Sequence, residues 1–344
     1  MISFRNDYSE GAHPEILRVL AETNLIQTPG YGTDEYCRQA ADVIKKAAGC
    51  PDADVHFFAG GTIANLTVIA SLLLPYEAAA AAKTGHINVH ESGAVEATGH
   101  KILEAETPDG KLTPELIMPL VRGNADEHTV RPRLVYISNA TELGTVYSKK
   151  ELEELYGYCR SNDLLLFIDG ARLAGALFSE YSDLTLEDTA ALCDVFYIGG
   201  TKNGLLFGEA AVITNDSLKK NFRNMMKRQG AMMAKGRLLG LQFLTLFEKD
   251  LFRRNAENAN GMLKKIKNIL DGYGFEYLAQ PQCNMIFPIM STAQAEALSE
   301  FVEFEYDRFI DDGRRAVRFV CSWACTDEAV DAFEKAVRMT AGMK

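Results

Sequence analysis

The sequence predicts an α/β fold, with a large part built on a mostly parallel sheet and a smaller α+β part at the C-terminal end. Three observations carry this. Short apolar runs such as 164–168 and 195–198 alternate with segments of helical pattern. Strands buried on both faces of a parallel sheet read as continuous apolar runs of this kind. After about Gly240 the texture changes to a long helical stretch followed by short strands and further helices. At 344 residues the chain can bury a large core and divide in two. The expected boundaries are an N-terminal segment over 1–15, a large domain over 16–240 and a small C-terminal domain over 241–344.

Element by element, His13 and Pro14 open a helix that runs to Glu22, and 36–48 reads as an amphipathic helix. A strand over 55–58 feeds the turn Gly60, Gly61, Thr62, and 63–74 follows as a helix with few polar residues. A strand is expected over 83–89 and a helical segment over 92–98. The alanine run 78–82 reads as core or interface packing. Within 130–138 the run RLVYIS is a strand, and 148–162 is a helix. There Ser148 caps the first turn and Glu151, three residues on, completes a capping box. The strand ending at Asp169 comes next, then a helix, the strand before Lys202, and a strand over 208–214. Beyond these, 241–271 reads as one continuous helix. Strands are expected over 273–278, 285–288 and 316–322, and helices over 292–302 and 326–341, the last capped by Thr326.

Composition excludes several classes. A formal net charge of −11 argues against general binding to nucleic acid or anionic membranes. No run approaches the ~18 apolar residues of a membrane span. The start, MISFRNDYSEG, carries charges where a signal peptide would be apolar, so a cytoplasmic location is expected. The seven cysteines are scattered and form no CxxC pair, which fits reduced thiols better than a disulfide framework or a metal centre.

The chemistry concentrates at the ends of strands. Asp169 follows one apolar run, with Arg172 three residues on. Lys202 follows another, among Gly199, Gly200 and Gly204. A carboxylate and a lysine at the ends of buried strands are costly unless each has a partner. In parallel sheets, functional groups gather at the carboxyl ends of strands. The Gly60, Gly61, Thr62 turn opens a helix whose first N–H groups are free to hold a phosphate. It lacks both the Walker Gly-Lys-Ser/Thr and the GxGxxG spacing.

Taken together, FRND and YGTDE near the start, FFAGGTIANL, GHINVHESGA, LFIDGARL, GGTKNG and VRFVCSW resemble the threonine aldolase and β-eliminating lyase family of fold-type I pyridoxal-phosphate enzymes. These motifs span residues 4 to 323, and DGARL followed by TKNG is the specific part. The resemblance implies a carbon–carbon lyase, in the manner of low-specificity L-threonine aldolases, cleaving threonine-type β-hydroxy amino acids to glycine and an aldehyde. Other readings are β-elimination to a keto acid and ammonia, aminotransfer, or a non-catalytic cofactor-binding protein. By the same resemblance, Gly61 and Thr62 hold the cofactor phosphate, Thr201 and Arg172 also contact the cofactor, and Asp169 pairs with the pyridine nitrogen. Lys202 forms the Schiff base. His86 stacks on the ring, with His90 as its rival. Arg172 and Arg318 fork the substrate carboxylate, and Asn6 and Asp7 approach from the N-terminal segment. Tyr31 reaches a neighbouring subunit's site in a homodimer or homotetramer, and Arg228, Lys235 and Arg237 stay open as phosphate contacts.

One departure stands out. Family members often read Asn-Thr-His-Asn-Gly where this chain has NATELG, 139–144, so the histidine near the substrate's β-hydroxyl falls on Glu142. A carboxylate can serve there as a base, and an exposed loop acid is the other reading.

Overall fold

In the computed structural model, which describes residues 2–341, the apolar runs become neighbours in a seven-stranded sheet. The chain starts with a two-residue strand, β1 (Ile2–Ser3), and then builds the sheet from β2 (Asp54–Phe58), β3 (Glu77–Ala82), β4 (Ile102–Ala105), β5 (Arg131–Ser138), β6 (Leu165–Asp169), β7 (Val195–Gly199) and β8 (Glu209–Ile213). Their order is β2-β8-β7-β6-β5-β3-β4. All pairings are parallel except those of β8, which runs antiparallel to both β7 and β2.

Alternation along the strands sends side chains to two separate cores. In β6, Leu166 and Ile168 enter one core, while Leu165 and Phe167 enter the other. The helix Lys149–Ser161 covers the first face with Leu152, Leu155 and Cys159; its Ser148–Glu151 capping box is present. The helix Gly61–Leu72 covers the second with Ala64, Val68 and Ile69.

Several expectations needed correction. The strand expected over 83–89 is displaced: the alanine run itself is β3, and His86–Val89 is a short helix. Ala78 to Ala81 are each 0 % exposed. Tight packing on both faces selects small side chains here over the β-branched residues that mark most strands. Of the helical segment over 92–98, only Glu96–Thr98 forms a 3₁₀ turn. The single helix over 241–271 is two helices, Arg237–Glu248 and Leu251–Gly272, broken where Asp250 takes a left-handed φ of 55°. The strands β4 and Glu305–Phe309 and the helix Pro114–Arg122 had no counterpart in the sequence reading.

The remaining strands are β9 (Glu276–Tyr277), β10 (Met285–Ile286), β11 (Pro288–Ser291), β12 (Val302–Glu303), β13 (Glu305–Phe309) and β14 (Arg314–Val320). β14 pairs antiparallel with β10, β11 and β13. Leu263, Ile266 and Leu270 from the long helix pack on this sheet with Phe333 and Val337 from the helix Asp327–Thr340. β1 runs parallel to β12, and the next residue, Phe4, bonds to Glu303 and Val320 through its backbone. That anchorage delivers Asp7 and Tyr8 to the carboxyl ends of the central strands.

Candidate active site

Ser138 ends β5, Asp169 ends β6 and Gly199 ends β7, so the three parallel strands finish side by side. Close backbone crossing there requires glycine. A Cβ on Gly170 would lie 1.8 Å from the Tyr197 carbonyl oxygen, and one on Gly199 would lie 2.3 Å from that of Ala171. Beyond these ends lies a cavity of about 280 Å³. Its walls include Gly60, Gly61, Thr62, His86, Glu142, Asp169, Arg172, Thr201 and Lys202, together with Tyr8, Tyr197 and Glu209.

Asp169 is 3 % exposed. Its Oδ2 accepts hydrogen bonds from the Tyr136 hydroxyl and from Asn65 Nδ2 at 3.0 Å, and its Oδ1 accepts from the Tyr197 hydroxyl and the Ala171 N–H. Burial alone would raise its pKa. The charge of His86 and the two phenols outweigh burial and hold the carboxyl below its usual value. A buried, ionised carboxylate at a cavity wall suits a protonated ring nitrogen.

His86 Nδ1 lies 2.7 Å from Glu91 Oε1, which also accepts from Asn65 Nδ2 at 2.8 Å. Glu91 is 5 % exposed. With Nδ1–H donating to this carboxylate, the imidazole's orientation is fixed. His90 sits 5.5 Å from His86, centroid to centroid, and is absent from the cavity wall. Lys202 is half-buried in the cavity wall, and burial, then the nearby Arg172 guanidinium, push its amine below the ordinary lysine value. That is the condition under which a lysine becomes nucleophilic.

Glu142 is no exposed loop acid. Its Oε1 accepts from Ser138 Oγ at 2.6 Å and from the His86 N–H at 2.9 Å. Burial raises its pKa, and the nearby Asp169 charge adds to the rise.

Arg172 is held by Asp7, with Nε to Oδ2 at 2.7 Å and Nη2 to Oδ1 at 3.0 Å. Asn284 Nδ2 also donates to Asp7 Oδ2, at 2.9 Å. Arg318 stands outside the cavity wall; its Nη2 donates to the Arg5 carbonyl at 3.1 Å, and its buried Nε has no hydrogen-bond partner. Arg318 is close enough to Arg172 for their charges to interact. Asn6 is not in the cavity wall: its Oδ1 closes a local turn by accepting from Tyr8 N–H and Ser9 Oγ. Tyr31 also lies away from the cavity, 47 % exposed, with Lys227 over its ring at 4.6 Å. Arg237 is occupied within its own chain by Ile26 and Thr23, whereas Arg228 and Lys235 are exposed.

The donor set fits pyridoxal phosphate. Gly60 caps the helix Gly61–Leu72 without a side chain, so its first N–H groups stay free for a phosphate beside Thr62. Asp169 and Lys202 line the same cavity, where the carboxylate would hold the ring nitrogen and the amine would meet the aldehyde. No cluster of metal-ligating side chains occurs among the described residues.

Residues 5–293 match the family described as Beta-eliminating lyase. The chain belongs to that family. A low specificity L-threonine aldolase of Pseudomonas aeruginosa is 32 % identical over 343 residues, covering 98 % of each chain. A Leishmania major threonine aldolase structure aligns with a TM-score of 0.97 and 44 % identity, covering 99 % of this chain and 100 % of that one. A Thermus thermophilus aspartate aminotransferase variant, at 14 % identity and a TM-score of 0.73 over 99 % of this chain and 91 % of its own, shares the fold.

The sequence reading missed Tyr8, Asn65, Tyr136, Tyr197 and Glu209. Strand register, helix phase and, for Tyr8, the anchored N-terminal segment bring them to the site of Asp169 and Lys202. The signal in reach was periodicity: Tyr197 lies two residues before the end of β7, and Tyr136 two before the end of β5.

Proposed function

We propose that this chain is a pyridoxal-phosphate lyase that cleaves threonine-type β-hydroxy amino acids to glycine and an aldehyde. The observation that carries it is Glu142, a half-buried carboxylate held by Ser138 and the His86 N–H on the same cavity wall as Lys202, Asp169 and His86. Cleaving the Cα–Cβ bond requires removal of the β-hydroxyl proton. A carboxylate whose pKa is raised by burial is a better base than an ordinary one.

When bound, pyridoxal phosphate supplies an electron sink for the pair released from the broken bond. The protein's residues do the rest. The free N–H groups after Gly60, with Thr62, hold the phosphate end. Thr201 is a weaker candidate, because its hydroxyl already donates to Glu209 at 2.8 Å. Asp169, kept ionised, holds the proton of the ring nitrogen in place. Arg172, locked by Asp7, offers its remaining N–H groups to the substrate carboxylate, with Arg318 nearby. That grip sets which substrate bond faces the sink. Glu142, its Oε1 held by Ser138 and the His86 N–H, takes the hydroxyl proton on its carboxylate.

We assign residues 1–15, 16–240 and 241–344 to an N-terminal site segment, a cofactor domain and a small domain. A homodimer or homotetramer with Tyr31 contributed across subunits is part of this reading. So is a reducing, cytoplasmic setting, which the seven free cysteines support. Among the described residues no helix is long and apolar enough to cross a membrane.

The deciding experiment records the absorbance spectrum of the purified protein before and after L-threonine, with glycine, acetaldehyde, ammonia and keto acid assayed together. Glycine and acetaldehyde in equal amounts are expected, and Lys202→Ala abolishes both the visible band and turnover. Keto acid plus ammonia would assign β-elimination instead. A visible band without any product would leave only cofactor binding.

A further inference from the structure

Glu209 is a buried acid that the reaction described above does not use. It is 4 % exposed and opens β8, the one strand that runs antiparallel to the others. Because of that direction, its first residue lies at the carboxyl end of β7, paired with Gly199, and faces Phe58 of β2 on the other side. There its Oε2 accepts from the Gly200 N–H at 3.1 Å and its Oε1 from Thr201 Oγ1 at 2.8 Å. Thr201 Oγ1 in turn accepts from the Gly208 N–H at 3.0 Å. Both carboxylate oxygens therefore grip the two residues that precede Lys202. Burying a carboxylate costs several kcal/mol unless another charge offsets it, and two neutral donors do not require an ionisable acceptor.

We propose that Glu209 is a positioning residue for Lys202, its carboxylate fixing the Gly200–Thr201 turn and providing the negative charge that stabilises a proton on the Lys202 nitrogen. The inference rests on the assignment of Lys202 as the cofactor lysine. No ion pair joins the two side chains directly among the described residues, so Glu209 acts through the field and the turn.

The surrounding charges are few. Lys202 feels Arg172, which disfavours its charged form, and Asp7 from the N-terminal segment, Asp169 of β6 and Glu209 of β8, which favour it. Glu209 feels Lys202, Asp169 and, from β7, Tyr197. Burial pushes the Glu209 carboxyl up to about 8, against the pull of Thr201 and Lys202. The two groups consequently titrate as a pair, the Glu209 anion being favoured when the Lys202 nitrogen holds a proton.

The test is a pH titration of the visible absorbance of the full chain carrying pyridoxal phosphate, which reads the proton on the Lys202 nitrogen. Removing an anion that favours the charged form moves that midpoint down. Glu209→Gln is expected to lower it by roughly one pH unit, and Glu209→Asp, which keeps the charge but withdraws it, to fall between Gln and wild type. Should Glu209→Gln fail to fold, Glu209→Asp alone is read, with a smaller downward shift expected. A midpoint that stays in place or rises in the variant that folds overturns the proposal and leaves Glu209 a structural clamp. Absence of the visible band in the wild-type chain would instead overturn the assignment of Lys202.

Discussion

Glu142 is half-buried and Asp7 fully buried, and their surroundings move the two carboxylates in opposite directions. Burial raises Glu142, with only Ser138 and backbone N–H groups opposing it. A base must be ionised to act, so activity falls as pH drops through that raised value. The acid limb of kcat/KM should lie above the ordinary 4.5 of a glutamate. Glu142→Gln should remove that limb and lower kcat by about 10²–10⁴, measured as acetaldehyde release across pH. Asp7 is the opposite case. Burial would raise it, but the charges of Arg172 and Lys202 and the Arg172 hydrogen bonds prevail and depress it. Its contribution to stability is present above the unfolded value of 3.8 and is lost as pH falls through the lower folded one. Asp7→Asn strands Arg172 as a buried charge without its counterion. It should cost about 3–5 kcal/mol in urea unfolding at neutral pH, with the wild-type difference shrinking in acid. The sequence named Asp169, Lys202 and Arg172 because charged residues next to apolar runs stand out, and Glu142 because it falls where the resembling family has a histidine. It did not reveal that Arg172 is already engaged by Asp7, because that pair joins residues 165 apart in the chain.

Elements were legible where local chemistry decides them. The helix Lys149–Ser161 follows from its capping box and the strands β6 and β7 from their apolar runs, and all three formed as read. The alanine strand β3 was not legible, since alanine has high helix propensity and no strand signature. It becomes a strand through its parallel pairing with β4 and β5. Each alanine from 78 to 81 is fully buried, so added methylenes have no room. Ala80→Leu should destabilise the protein by about 1–3 kcal/mol, and Ala80→Gly by less than that. Thermal unfolding of the two variants would measure the asymmetry. If Ala80→Leu melted with the wild type, β3 would be less tightly packed than its burial indicates. The break at Asp250 was missed for a related reason. Both flanking stretches are helical in pattern, and only a left-handed residue between them separates the two axes.

On the scale of the whole molecule, Tyr31 is the residue that a single chain does not explain. It takes a left-handed φ of 59°, a costly conformation for a tyrosine. Its carbonyl accepts from Arg223, Lys227 lies over its ring, and the residue remains 47 % exposed beside a second cavity of about 280 Å³ lined by Met226, Met232 and Met233. A tyrosine fixed in position but left uncovered suits a surface met by a second copy of the chain. This leads to a complementation test. In a hybrid of Lys202→Ala and Tyr31→Ala chains, contribution of Tyr31 across the interface puts both defects in one site and leaves the other intact. Random pairing of the two then restores about one site in four. If Tyr31 serves its own chain's site, every site carries one defect and mixing recovers nothing. Co-expressed, differently tagged chains, isolated as the hybrid and assayed for acetaldehyde release, separate the two arrangements. Each homodimer alone must be weak for the comparison to hold. Recovery in the hybrid alone would establish that the catalytic unit is the pair and not the single chain.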